Sequence, residues 1–289
     1  MGQVKIVTDT TCDLPKDIIQ QYDIRQVPVI ITLGDNVYKE FFELTPEQFY
    51  NFLKSSPQRP NSAPPSRKDF SDVYTKLSQE TDSIISIHMS GEFSPTPNLA
   101  KNMAQFAMGA AKKQGNNLDI TVVDSLNTSI GQGMIVVEAA LLAQEGKGKD
   151  EILSHIDSII ANIKSMFMVD DISYLEKSGR IGKAASSVAG FFKIKPILSI
   201  EGGVTSIKGI PVSNDSAYDK IVKTMGDIIP FDSSIKVGLA HANAPDKAAA
   251  LRPRIQEKYN CIEFYETYMG CGVGATVGPG SVGIEYYIA

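Results

Sequence analysis

Short apolar runs alternate with amphipathic stretches along the first half of the chain. Val4–Thr8, Val27–Leu33, Ser83–His88 and Ile120–Asp124 are rich in β-branched residues and have the length of strands. Between them, Pro15–Tyr22, Pro46–Ser55, Lys68–Gln79 and Asn98–Gln114 carry apolar residues at helical spacing. Continuous apolar strands separated by helices predict a parallel sheet covered on both faces, since both sides of each strand must then be dry.

A longer helical pattern over Ser129–Gln144 stops at Glu145-Gly146-Lys147-Gly148-Lys149, where glycine and lysine form a helix stop. A second pattern runs from Asp150 to Lys164. The break between them predicts two domains, 1–148 and 149–289. In the second, strands are expected at Ser165–Val169, Ile194–Ile200, Val204–Ile207, Ile235–Ala240, Ile262–Tyr268 and Gly283–Ile288. Helices are expected at Ile172–Lys177, Lys183–Phe192, Ser216–Ile229 and Pro245–Tyr259. Glu201-Gly202-Gly203 between two strands reads as a hairpin, so this sheet is mixed. Ser55–Ser66, with Pro57, Pro60, Pro64 and Pro65, reads as an irregular surface loop. The expected fold class is therefore α/β.

Composition narrows the function. The 289 residues include 33 acidic and 28 basic side chains, a net charge of −5, and 43% are hydrophobic. That excludes global disorder and argues against nucleic acid, which needs a concentrated basic face. The longest apolar stretch, Met134–Ala143, contains Glu138 and is far short of the roughly 20 residues a membrane-spanning helix needs, so no span is expected. The three cysteines, Cys12, Cys261 and Cys271, are odd in number and lack metal-ligand spacing. With no leader-like start, they point to a reduced, cytoplasmic chain. No phosphate-binding loop or nucleotide-binding glycine pattern follows the first strand, and neither metal nor cofactor is expected.

In α/β sheets, ligands bind beyond the carboxyl ends of the strands. Three such ends are polar: Asp9-Thr10-Thr11-Cys12-Asp13, His88-Met89-Ser90-Gly91 and Asp124-Ser125-Leu126-Asn127-Thr128-Ser129. Ser90-Gly91 could bring backbone N–H groups to an anion, or could simply form a turn and helix cap. Cys12, with His88 as its base, is a candidate nucleophile for a cysteine-dependent enzyme; a structural cysteine is the plainer alternative. The segment from Gly270 to Gly280 is dense in glycine, which says that backbone there approaches something closely.

Taken in order, several segments resemble the DegV family of bacterial fatty-acid-binding proteins. They are Val7-Thr8-Asp9-Thr10-Thr11-Cys12-Asp13-Leu14, Ser62-Ala63-Pro64-Pro65-Ser66, Ser90-Gly91-Glu92-Phe93, Val123-Asp124-Ser125, Glu176-Lys177-Ser178-Gly179-Arg180-Ile181 and Gly278-Pro279-Gly280. The resemblance implies an N-terminal three-layer α/β/α domain with a parallel sheet and a C-terminal two-layer domain with a mixed sheet. It also implies a long-chain fatty acid held between them, whose carboxylate is presented to a separate fatty acid kinase. By that likeness the chain is a carrier and not an enzyme. The implied binding residues are Ser62, in place of the family's threonine, Ser90 and Gly91, and Thr276, Val277 and Gly278. Thr276-Val277 stand where the family has a His-Thr pair, Glu92 replaces a neutral threonine, and Ile210-Pro211-Val212 replace a Lys-x-Arg. A degenerate member that survives as an interaction module is the other outcome these departures allow. Arg180 could serve a ligand or partner, or the start of a helix.

Overall fold

A computed structural model describes residues 3–56, 58–182 and 195–289. β1 (Lys5–Asp9) lies between β2 (Arg25–Val27) and β6 (Ser83–His88), and β7 (Asp119–Asp124) closes the far edge. All three pairings are parallel, in the order β2-β1-β6-β7. The run predicted as one strand over Val27–Leu33 is two. Pro28 has no N–H to continue a ladder, so the chain leaves the parallel sheet there. It then forms β3 (Ile30–Leu33), the centre of a small antiparallel sheet with β4 (Asn36–Lys39) and β5 (Asn61–Ala63). The proline-rich loop thus contains a three-residue edge strand, where proline is tolerated.

One face of the parallel sheet packs on α3 (Arg67–Leu77) and α4 (Thr96–Lys113), through Phe70, Tyr74, Leu77, Ala100 and Ala104. Both helices begin as their sequences dictate. Ser66 and Asp69 form a reciprocal capping box on α3, and Pro95 and Pro97 flank the first residue of α4, where N–H groups have no helical partner. α1 (Lys16–Gln21), α2 (Pro46–Ser55) and α5 (Ser129–Gln144) complete the α-helices of this half.

The second half carries a six-stranded sheet in the order β10-β9-β8-β13-β11-β12. Its strands are β8 (Lys164–Met168), β9 (Ile197–Glu201), β10 (Val204–Gly209), β11 (Ser234–His241), β12 (Asn260–Tyr268) and β13 (Val282–Ile288). Only the β11–β12 pair is parallel, and β9 and β10 form the expected hairpin. α8 (Asn214–Ile228) and α9 (Pro245–Gln256) cover one face, through Tyr218, Ile221, Met225, Leu251 and Ile255. The helix predicted over Lys183–Phe192 lies outside the described residues.

α5 (Ser129–Gln144) sits between the two large sheets. It is apolar on every side, and each residue from Ser129 to Ala140 is buried, as a helix with a sheet on either side must be. Ile6 and Ile87 of the parallel sheet and Phe167 and Leu198 of the mixed sheet belong to one continuous core with it. α6 (Lys149–Asn162) packs alongside. Among the described residues, no helix is long and apolar enough to cross a membrane.

Candidate functional site

A slot of about 830 Å³, its open mouth included, lies beyond the carboxyl ends of β1, β6 and β7, against the mixed sheet. Its lining comes from both sides of residue 148. Val29, Ala63, Pro64, Met89 and Phe93 face Phe167, Leu175, Ile200, Val273 and Val277, so the walls are mainly hydrocarbon. The polar residues of the lining are Thr11, Ser62, Ser94, Thr128, Ser129, Thr205, Thr276, Arg180 and Glu285.

The glycine-dense segment supplies one wall. Cys271–Val277 forms a short helix, α10, an element its composition did not suggest. What its backbone approaches is a pair of buried carboxyls. Gly270 N–H donates to Asp13 Oδ1 at 2.8 Å, and Gly272 N–H donates to Glu40 Oε1 at 2.7 Å. A Cβ on Gly270 would stand 2.6 Å from Glu40 Oε1 and 2.7 Å from Asp13 Oδ1, so only glycine fits. Ser129 Oγ donates to the other oxygen of Asp13 at 2.6 Å, and Thr10 Oγ1 to Glu40 Oε2 at 2.5 Å. Burial pushes Glu40 up to about 7 and Asp13 well above the usual carboxylate range, each further raised by neighbouring carboxyls. These two side chains fix α10, and with it Val273, Thr276 and Val277, against the slot.

Arg180 follows α7 (Ser173–Ser178), which ends at Gly179 in the left-handed region with φ 74°. Its Nε donates to Phe93 O at 3.2 Å and its Nη1 to Ser178 O at 2.9 Å. Among the described residues no carboxylate pairs with it, and burial lowers its proton affinity. Ser62 and Thr276 share this end of the slot with Arg180, and all three also line an adjoining surface groove with Arg59 and Lys177. Arg59 stacks 4.1 Å above the Tyr174 ring. The slot therefore runs from an apolar interior to a cationic mouth.

Of the residues singled out from sequence, Ser62, Thr276 and Val277 line this slot together. Ser90, Gly91 and Gly278 stand outside the lining. Ser90 is fully buried and its hydroxyl donates to Gly203 O at 3.0 Å, while Gly91 N–H donates to Asp124 Oδ2 at 3.0 Å. Gly278, at φ 78°, lets the Tyr174 ring pack where a Cβ would come within 2.6 Å of it. Glu92 is exposed and is not part of the lining. Sequence reasoning missed Glu285, Asp13 and Glu40. A lone charge inside the apolar run Val282-Gly283-Ile284-Glu285-Tyr286 was the one signal available for the first.

The cysteine reading finds no support in the geometry. Cys12 is wholly buried, with Gln26 Nε2 3.5 Å from its sulfur, and burial raises its thiol rather than depressing it. His88 is committed elsewhere: Nδ1 meets Asp9 Oδ2 at 2.9 Å and Nε2 meets Ser86 Oγ at 2.7 Å. Tyr74 Oη closes this chain of contacts on Ser86 at 2.8 Å. An Asp-His-Ser constellation results, but all three side chains have no exposed surface, so it holds the sheet to α3 and offers a substrate no access. Among the described residues, no cluster of His, Cys, Asp or Glu could hold a metal ion.

A family model described as "Uncharacterised protein, DegV family" matches residues 3–289. The chain belongs to the DegV family. A DegV domain-containing protein of Clostridium acetobutylicum is 31% identical to it, over 99% of both chains. Among solved structures, a DegV family protein from Thermus thermophilus, described as fatty acid binding, superposes with a TM-score of 0.90 at 27% identity. The match covers 99% of this chain and all of that one. DegV of Bacillus subtilis, described as a fatty acid binding protein, gives 0.90 at 26% identity over the whole of both chains. The mixed α/β architecture expected from the resemblance is thus the DegV fold.

Proposed function

We propose that this DegV protein binds a long-chain fatty acid or similar lipid, with its tail in the slot and its carboxylate at the mouth. The observation that carries the reading is Arg180, a half-buried cation without an anionic partner among the described residues, at the point where the hydrocarbon walls end. An unpaired guanidinium there costs desolvation that a ligand carboxylate offsets. The Thermus and Bacillus relatives described as fatty acid binding support the same reading.

In this arrangement Ser62 and Thr276 donate their hydroxyls to the carboxylate beside Arg180. Val277 walls the tail, Ser90 and Gly91 brace the neighbouring loops, and Gly278 seats Tyr174. The ligand lies between the two parts of the chain, 1–148 and 149–289. Its role is that of a cytoplasmic carrier rather than a catalyst. The exposed groove at the mouth leaves the carboxylate within reach of a separate acyl kinase.

Tail and head contribute unequally. Burial is worth about 0.8 kcal/mol per methylene, whereas a charge-assisted hydrogen bond nets about 1.5–3 kcal/mol. Ser62→Ala and Thr276→Val are accordingly expected to weaken palmitate binding by about 1 kcal/mol each, roughly fivefold, measured by isothermal titration. Unchanged affinity in both variants would remove them from the site. Native mass spectrometry tests the function itself: the protein purified from cells should carry an acyl chain, or take up added palmitate. A chain that does neither overturns the reading.

A further inference from the structure

The most unusual group in the slot is Glu285. Side chains alternate along β13, so Ile284 and Tyr286 point into the core beneath α8 and α9. Gly283, Glu285 and Tyr287 face α5 and the slot. Glu285 is 3% exposed, and its Oε2 has no hydrogen-bond partner. No ion pair reaches it among the described residues. Burial, with the Asp13 carboxyl adding to it, pushes it well above the usual carboxylate range, which favours the protonated form that can donate as well as accept.

A second polar atom in the same lining is equally unsatisfied. Thr128 precedes the first turn of α5, where a threonine normally caps the helix, yet its Oγ1 is buried without a partner. Both residues line the same slot, and Glu285 reaches the first turn of α5, where a Cβ placed on Gly131 would stand 2.8 Å from Glu285 Cγ. Orphaned buried polar atoms are rare in folded proteins because each forfeits its bonds to water. Two of them in one mainly apolar lining point to ligand oxygen as the missing partner.

We propose that the slot selects an acyl chain bearing a hydroxyl or keto oxygen along its length, recognised by Glu285 and Thr128. This rests on the lipid reading above and adds its substrate class. A ligand carboxylate is the wrong occupant for this spot. It would bury an anion beside a carboxyl with no cation at hand, whereas Arg180 stands with Ser62 and Thr276 at the mouth. An in-chain hydroxyl or keto group brings no charge. The neutral Glu285 O–H and the Thr128 O–H can each donate to it, and Glu285 can accept in return.

The test is isothermal titration of the full chain with stearate, 10-hydroxystearate, 12-hydroxystearate and 10-oxostearate. At least one oxygenated acid is expected to bind wild type about tenfold or more tightly than stearate, the typical worth of satisfying a buried polar group. Glu285→Leu should reverse that order, Glu285→Gln should keep it, and Thr128→Val should reduce it. Stearate binding as tightly as every oxygenated acid overturns the proposal while leaving lipid binding intact. So does a preference that survives Glu285→Leu and Thr128→Val unchanged. Failure of all four acids to bind overturns both readings.

Discussion

Val273→Trp is expected to abolish palmitate binding while leaving the fold standing. Val273 is a buried residue of α10 that lines the slot in which a ligand tail would lie. An indole there displaces about six methylenes of acyl chain. At about 0.8 kcal/mol each, the loss is about 5 kcal/mol, or three orders of magnitude in affinity. Two measurements separate the outcomes. Isothermal titration with palmitate should show no heat of binding, and thermal unfolding should show a melting temperature close to that of wild type. Palmitate bound with ordinary affinity by a well-folded variant would place the tail elsewhere.

What the sequence shows and what it hides divides along the range of the interactions. Three of the four parallel strands and the long helices are legible because each is decided locally; β2 overlaps the expected run only at Val27. Ser83–His88 carries three isoleucines in six positions, Pro46–Ser55 opens on Thr45 and Pro46, and Ser129–Gln144 is apolar enough to need cover on every side. β5 is invisible because three residues among prolines carry no periodicity; β3 alone makes them a strand. α10 is hidden for the opposite reason. Its glycines read as loop, and only Asp13 and Glu40, more than 200 positions away, give their N–H groups a reason to stand together. The site divides in the same way. Ser62 and Thr276 could be named because the motifs that resemble the family fix those places along the chain, although both residues depart from the family's own. Ser90 and Gly91 could be named too, but which acceptors their donors meet depends on Gly203 and Asp124, contacts that no local pattern encodes. Glu285 is a visible anomaly in an apolar strand, but the face it takes is set by the pairing of β13 with β8 and β11.

The carboxyls that anchor α10 carry a second expectation of large size: stability should fall as pH rises from about 4.5 to about 7, and Glu40→Gln should flatten that fall. Burial lifts Glu40 from an ordinary 4.5 to about 7 in the folded chain. Across that interval the unfolded chain has already released the proton while the folded chain still holds it. The unfolded state therefore binds fewer protons, and the free energy of unfolding decreases with pH until both states are ionised. A shift of this size corresponds to about 3 kcal/mol at 1.36 kcal/mol per unit. Glutamine keeps an oxygen for the Gly272 N–H and cannot ionise, so it removes this slope without detaching the helix. Asp13 is raised in part by the Glu40 charge, so the substitution also relaxes its titration and adds to the flattening, while Glu285 titrates alike in both proteins. Urea unfolding at pH 5, 6, 7 and 8 measures both profiles, and two parallel curves would show that Glu40 is ionised in the folded chain throughout. With the expected difference, the fixing of α10 depends on a proton shared between Glu40 and the solvent near neutrality. The wall bearing Val273, Thr276 and Val277 is then held most firmly below pH 7.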